Sequence, residues 1–176
     1  MSGSCCPDAS QGAVGQATQQ PQPVEPGACC AGHEAQGCEP SGQAIGHPAK
    51  LPIVWQRLVI AGGTTCPRCD ATSRHLLHAV ATLRAALKPL NIEPTLEFRE
   101  IGESDFKSDP AQSNRIWIGG KPLEEWVNAN VGGSRCCAAC GDEICRTVEV
   151  DGTIFEEVPE AIIVKAGLAA ASAMIG

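Results

Sequence analysis

The sequence lacks a long uninterrupted run of apolar residues. Its most apolar stretch, Ala161 to Ile175, is shorter than the roughly 20 residues that a membrane-spanning helix needs, and Lys165 interrupts it. We therefore expect no membrane span and interpret this stretch as an amphipathic C-terminal helix packed on the domain. The first 26 residues also lack the basic region and apolar core of a secretory signal, so we expect a cytoplasmic protein.

Clusters of positive charge are missing as well. Lysine and arginine together number 13, against 20 aspartate and glutamate residues, and the formal net charge is -7. A nucleic-acid-binding surface would need clustered lysine and arginine side chains. This composition excludes nucleic acid as an expected partner.

Aromatic and branched aliphatic residues are almost absent from the first 49 residues. This segment contains no Phe, Trp or Tyr, and its only branched aliphatic residues are Val14, Val24 and Ile45. Such a composition cannot offset the entropy of ordering by burying apolar surface. We predict a disordered tail rich in Cys, Gly, Pro and Gln over residues 1–49, followed by one α/β domain over residues 50–176.

Apolar runs return after residue 50 and predict alternating strands and helices. A strand, a helix and a second strand at this spacing indicate a parallel strand pair. The Asp151-Gly152 dipeptide predicts a tight hairpin, and threonines in the turn after the first strand could cap the helix that follows. The predicted elements are strands at Ile53–Ala61, Thr95–Ile101, 116–118, Thr147–Val150 and Thr153–Glu156, and helices from Pro67 to Pro89, at 123–128 and from Pro159 onward.

The sequence does contain 11 cysteines. Their odd number and their adjacent pairs fit poorly with the disulfide framework of a secreted protein, because neighbouring cysteines rarely bridge each other. A reducing compartment is therefore expected. Paired thiols in such a compartment either exchange electrons or bind a soft metal ion.

Cys66-Pro67-Arg68-Cys69 lies where a predicted strand and turn lead into the first long helix. The positive end of a helix stabilises a thiolate, and Arg68 adds to this effect, so we expect a lowered pKa for Cys66. Cys66 is then the predicted nucleophile or first metal ligand, and Cys69 resolves a mixed disulfide or completes a chelate. The alternative is a pair of inert buried thiols.

A second cluster, Cys136, Cys137, Cys140 and Cys145, places four cysteines within ten residues. Four thiolates would suit Zn(II) or an iron–sulfur cluster, three would suit As(III), and two would suit Hg(II). We expect As(III), Hg(II) or Zn(II) ahead of an iron–sulfur cluster. The simpler alternative is a structural zinc knuckle.

The predicted tail contributes five further candidate ligands. In a flexible segment, chelation need not match a preformed cage, and soft ions tolerate such loose ligation. We interpret these residues as scavengers of a soft ion, with incidental cysteines in a low-complexity tail as the alternative. They are Cys5, Cys6, Cys29, Cys30 and Cys38.

Other polar residues are weaker candidates. His75 and His78 lie on the predicted first helix, where such residues are usually surface or half-buried positions. Asp70 follows the cysteine pair and could donate a proton to a bound metal alkyl. Glu124 and Glu125 are interpreted as a solvated helix face, and the three tryptophans as core or groove packing.

Residues 53–127 resemble the thioredoxin and glutaredoxin superfamily, through Cys66-Pro67-Arg68-Cys69 and the segment from Ser113 to Glu125. More narrowly, Leu51 to Ala170 resembles a prokaryotic thioredoxin-like family catalogued only as a domain of unknown function. The pieces shared with it are the Cys-x-x-Cys, Ser113-Asn114-x-Ile116-x-Ile118, Cys137-x-x-Cys140 and Cys145-Arg146-Thr147-Val148.

This resemblance implies a mixed sheet with flanking helices, an added C-terminal hairpin and helix, and a substrate groove beside Ser113 and Asn114. Thioredoxins have a cis-proline where Asn114 stands here. Because a cis bond before a residue other than proline costs about 3 kcal/mol, we expect a trans peptide and an altered groove.

Three functions follow from these residues. The leading hypothesis is a protein that binds or transfers a thiophilic ion such as As(III) or Hg(II), with a metal transporter as a possible partner. The second is a dithiol oxidoreductase, with a thiol reductant as partner, in which Cys66 attacks, Cys69 resolves and Cys137 or Cys140 relays the electrons onward. The third is an enzyme that cleaves a carbon–metal bond or reduces a metal oxyanion, with Asp70 as proton donor.

Overall fold

A computed structural model describes residues 46–60, 62–136, 140 and 142–176. All of these lie within one unit that spans Gln43–Gly176. Of the tail predicted over residues 1–49, residues 1–45 with all five cysteines lie outside the described residues, as does Cys137. A strand begins at Ala49, inside the range predicted as tail.

The first sheet is mixed and has four strands in the order β2-β1-β3-β4. Strands β1 and β2 are parallel over ten residue pairs, as predicted, whereas β3 is antiparallel to both β1 and β4. Helices accompany the sheet, which confirms the predicted α/β class. The elements of this part are β1 (Ala49–Leu58), α1 (Pro67–Leu87), β2 (Ile92–Ile101), α2 (Glu103–Ser108), β3 (Arg115–Ile118), β4 (Lys121–Pro122) and α3 (Leu123–Val127).

The first helix forms as the sequence predicts. Pro67 occupies its first turn, where the missing N–H costs nothing, and the helix ends at Leu87, before Pro89. Apolar residues that recur at helical spacing, such as Leu76 and Leu83, form one face of this helix and are buried against the sheet and the last helix.

A second sheet precedes the last helix. Its antiparallel strands are β5 (Asn130–Arg135), β6 (Ile144–Val150) and β7 (Thr153–Phe155), in sequential order. The β6–β7 turn is the predicted one, since Asp151 and Gly152 both have positive φ, 51° and 78°. β5 was not predicted, because Gly132 and Gly133 interrupt the alternation of apolar and polar residues that indicates a strand. A Cβ on Gly133 would collide with the side chain of Ile144, so a larger residue here would force that side chain to move.

The last helix, α4, covers Glu160–Ile175 and begins one residue after the predicted Pro159. It packs on α1 where Gly167 faces Leu83, and a Cβ on that glycine would lie 2.5 Å from Leu83 Cδ1. None of the helices in the described part of the chain is long and apolar enough to cross a membrane.

Candidate functional site

Cys66 is the N-cap residue of α1, with extended backbone angles φ -73° and ψ 160°. The predicted threonine cap of this helix is wrong, because no side chain caps its first amides. Thr65 instead donates its hydroxyl to the carbonyl of Leu58 over 2.8 Å. This bond ties the turn before the cysteine pair to the end of β1.

Both cysteines of the pair are buried: Cys66 is 3% exposed and Cys69 is 2% exposed. The pKa of Cys69 is raised far above its ordinary value by its hydrogen bond to Cys66, by burial and by the charge of an ionised Cys66, whereas Ser113 and Thr65 act in the opposite direction. Cys69 consequently retains its proton at neutral pH.

Ser113 and Asn114 contact the same region from the segment before β3. The hydroxyl of Ser113 accepts from the amide of Leu58 over 3.1 Å and lies 3.6 Å from Cys69 Sγ. Asn114 has a positive φ of 58°, and its Oδ1 accepts from Trp55 Nε1 over 3.1 Å. No peptide bond between described residues is cis, which confirms the predicted trans loop at Asn114.

A disulfide joins Cys136 to Cys145, which lie near the paired ends of β5 and β6. Their Cα atoms are 5.0 Å apart, and Cys136 donates its amide to the carbonyl of Glu143 over 2.8 Å. The sequence had placed both cysteines in one cluster with Cys137 and Cys140, and the pairing of β5 with β6 brings Cys136 and Cys145 together.

Cys140 completes a cluster of three sulfur atoms. The Sγ atoms of Cys136, Cys140 and Cys145 all lie within 4.8 Å of one another, close enough to hold a metal ion. Cys136 and Cys145 are buried, and Cys140 is half-buried. We call these three residues the sulfur cluster. It packs against apolar side chains at the end of the first sheet: Leu58, Phe106, Ile60 and Ile101.

The two cysteine groups that are far apart in sequence share one cleft. Cys66 and Cys69 line it from α1, and Cys145 lines it from β6. The sequence had left open whether these groups meet, and the fold brings them together. The described residues that line it are Cys66, Arg68, Cys69, Ser113, Asn114, Cys145, Arg146 and Glu156.

Arg68, inside the Cys-x-x-Cys motif, connects α1 to the second sheet. Its guanidinium donates to Ser134 Oγ over 2.8 Å and to the carbonyl of Arg135 over 2.7 Å. It also lies 2.9 Å from the carboxylate of Glu156. The predicted role of Arg68 was to stabilise a thiolate, and the sequence did not indicate this structural connection.

Arg146, which follows Cys145, forms a buried ion pair with Glu124 of α3. Their side chains are only 7% and 8% exposed. The solvated helix face predicted for Glu124 is therefore wrong, although Glu125 is exposed and lies 3.6 Å from Lys121. Glu124 is buried where it meets Arg146 of β6, a contact between distant segments that the sequence did not reveal.

The weaker candidates lie outside the cleft. Asp70 is exposed and pairs with Arg74 on the surface of α1. His75 Nδ1 lies 3.1 Å from the carbonyl of Val158, and His78 Nδ1 lies 3.8 Å from Glu160. None of these three lines the cleft, so the proton-donor role suggested for Asp70 gains no support.

Comparison with known proteins identifies the family. A protein of Archaeoglobus fulgidus, described as an uncharacterized protein, is 45% identical over 109 residues, which are 62% of this chain and 79% of that relative. No solved structure matches the chain significantly. The family model described as "Domain of unknown function (DUF2703)" matches residues 51–167. Since this match covers more than half of the chain, the chain belongs to the DUF2703 family.

Proposed function

We propose that this protein carries out thiol–disulfide exchange between the Cys66–Cys69 dithiol and the Cys136–Cys145 disulfide. The observation that supports the proposal is the shared cleft, which Cys66 and Cys69 line together with Cys145. One redox pair is present as a disulfide, and the other contains a thiol, Cys69, whose pKa is raised so that it keeps its proton. Such an arrangement suits transfer of two electrons between the pairs.

The exchange proceeds in two balanced steps. The Cys66 thiolate attacks Sγ of Cys145, the sulfur that lines the cleft, and Cys136 leaves as a thiolate. Cys69 then gives its proton to that thiolate and attacks Cys66, which releases Cys145. The products are a Cys66–Cys69 disulfide, the Cys136 thiol and the Cys145 thiolate, so one dithiol is oxidised as one disulfide is reduced.

Burial favours an internal partner for Cys66. A cysteine that is 3% exposed is poorly placed to attack a disulfide on the surface of another protein. Cys140 is half-buried and lies within 4.8 Å of both disulfide sulfurs. We assign Cys140 the exchange with an external thiol reductant, through attack on the internal disulfide.

The topology supports a thioredoxin-like assignment as part of this proposal. In that fold a dithiol begins the helix after the first strand, and the segment before the third strand faces the dithiol. Here α1 begins at the cysteine pair, and Ser113 of the corresponding segment lies 3.6 Å from Cys69. A cytoplasmic location also fits, because disulfides in that compartment are usually catalytic or redox-sensing.

Binding of a soft ion is the second candidate function, and the sulfur cluster favours it. Three sulfur atoms within 4.8 Å can coordinate one ion once the disulfide is reduced, and thiolates select soft ions such as As(III) or Hg(II). The tail cysteines and Cys137 remain candidate ligands of the same kind, and a metal transporter remains a candidate partner.

A trapping experiment tests the exchange. In the full-length chain the five tail cysteines are changed to serine, and Cys69→Ser is added so that the mixed disulfide cannot be resolved. We expect a Cys66–Cys145 bond to accumulate, detected by mass spectrometry of non-reduced peptides. Cys66→Ser in the same background is the matched control and should retain Cys136–Cys145. A Cys69→Ser protein that also retains only Cys136–Cys145 would overturn the proposed function.

A further inference from the structure

We propose that the Cys136–Cys145 disulfide is the closed state of a three-thiolate site for a trivalent soft ion such as As(III), and that the Cys66–Cys69 dithiol opens it. The inference rests on the proposed exchange and adds that the exchange releases the ligands of an ion site. Ion uptake and electron transfer then become one coupled process at the sulfur cluster.

The fold keeps the three sulfur atoms together after the disulfide opens. Cys136 and Cys145 have Cα atoms 5.0 Å apart at paired strands, and the amide of Cys136 is bonded to the carbonyl of Glu143. The backbone, and not only the S–S bond, therefore holds these residues in place. With Cys140 they present three donors to one ion.

The surroundings of the cluster favour a trivalent ion over a divalent one. Three thiolates and As(III) form a neutral complex, whereas three thiolates with Zn(II) or Hg(II) carry one negative charge. The cluster packs against Leu58 and Phe106, and an apolar environment penalises an unpaired charge. Arg146 does not supply a compensating charge, because it is already paired with Glu124.

The closed state withholds two of the three donors. Opening needs two electrons, which the neighbouring dithiol supplies. Arsenous acid, the Cys66–Cys69 dithiol, the Cys136–Cys145 disulfide and the Cys140 thiol then give a Cys66–Cys69 disulfide, an As(III) tris-thiolate and three water molecules. Arsenite should therefore move the disulfide from one cysteine pair to the other without any added reductant.

Disulfide mapping provides the test. The full-length protein with serine at the five tail cysteines is prepared anaerobically with one disulfide per chain, treated with sodium arsenite, quenched in acid, alkylated and analysed by mass spectrometry. The arsenite concentration is set at about 100 times the dissociation constant of arsenite for the opened three-thiol site. The ratio of the Cys66–Cys69 form to the Cys136–Cys145 form should then rise about 100-fold. Zinc chloride at the same concentration should produce a much smaller change.

Two variants check the donor set. Cys140→Ser removes the third ligand and should abolish most of the arsenite-induced shift, while exchange detected by the Cys69→Ser trap continues. Cys137→Ser is the matched control and should retain the full shift. Loss of the shift in Cys137→Ser, or its retention in Cys140→Ser, would show that the named donors are wrong.

The outcomes separate this inference from the proposed function. If the trap forms but arsenite binds without moving the disulfide, exchange stands and the inference is overturned. If zinc moves the disulfide as effectively as arsenite, the argument for a trivalent ion is overturned. If the trap fails to form, the proposed function falls, and with it the opening step proposed here.

Discussion

Nη2 of Arg68 lies 2.9 Å from Oε2 of Glu156, in the segment that follows β7. The same guanidinium donates to Ser134 and to the backbone of Arg135. Arg68, inside the Cys-x-x-Cys motif, thus connects the start of α1 to the second sheet. Because that sheet contributes Cys145 to the cleft, Arg68 affects how the two redox pairs are held together.

Arg68→Gln should make Cys66 more accessible. Loss of the bonds to the second sheet costs about 1 kcal/mol of local stability, which corresponds to a roughly fivefold increase in transient opening. The measurement is the rate of Cys66 alkylation by iodoacetamide in the native protein. Arg74→Gln is the matched control, because Arg74 pairs with Asp70 on the exposed surface of the same helix. Equal alkylation rates in the two variants would contradict the role of Arg68.

The stability of the protein should decrease above pH 9 because of Cys69. Its pKa in the folded state is raised well above the ordinary value of 9.0, so the folded protein keeps a proton that the unfolded chain releases. This contribution to stability is fully present below pH 9 and is lost as the pH rises, by up to about 1.4 kcal/mol per pH unit. Urea unfolding at pH 8 and pH 10, with a phosphine reductant in all samples, measures it.

Cys69→Ser is the comparison for this pH dependence, since a serine hydroxyl does not titrate in that range. We expect its free energy of unfolding to change less between pH 8 and pH 10 than that of the unmodified protein. An identical pH dependence in both proteins would show that Cys69 has no raised pKa in the folded state.

Glu124→Gln should strongly destabilise the fold. The substitution leaves Arg146 buried without its counter-charge, and removing one partner of a buried pair costs about 3 to 5 kcal/mol. The double variant Glu124→Gln with Arg146→Met should lose less than the sum of the two single changes. Urea unfolding provides the free energies, and the exposed Glu125→Gln should change them by less than about 0.5 kcal/mol. Additive losses would argue against the ion pair.

Asn114 should contribute to the stability of the fold through both its backbone conformation and its side-chain hydrogen bond. Asn114→Gly keeps the positive φ and loses the bond from Trp55, for a cost of about 1 kcal/mol. Asn114→Ala adds the strain of a left-handed alanine, a further cost of about 1 kcal/mol. Chemical denaturation measures both changes.

Asn91 provides the matched pair of substitutions, because it also has a positive φ, 53°, but its side-chain bond is exposed. Asn91→Gly should be nearly neutral, and Asn91→Ala should show the same cost relative to glycine as at Asn114. An Asn114→Gly variant as stable as the unmodified protein would exclude a contribution from the Trp55 bond.

The sequence by itself determined the features that depend on local interactions. The four-residue spacing of Leu76, Val80 and related positions defined the buried face of α1, and Pro89 marked its end. The Asp151-Gly152 dipeptide specified the β6–β7 turn through its positive φ angles. The position of Cys66 at the start of α1 and the trans peptide at Asn114 were likewise readable from short segments, since propensity and turn chemistry act over a few residues.

The tertiary structure decided everything that depends on pairing between distant segments. Strand pairing placed Cys145 beside Cys136, and packing brought Cys145 into one cleft with Cys66 and Cys69. The burial of Glu124 against Arg146 is of the same kind. The glycines of β5 give no alternating apolar signal, so the sequence did not reveal the strand that makes these contacts possible. The amino-acid sequence indicated thiol chemistry, but the pairing of particular cysteines depends on packing between distant segments.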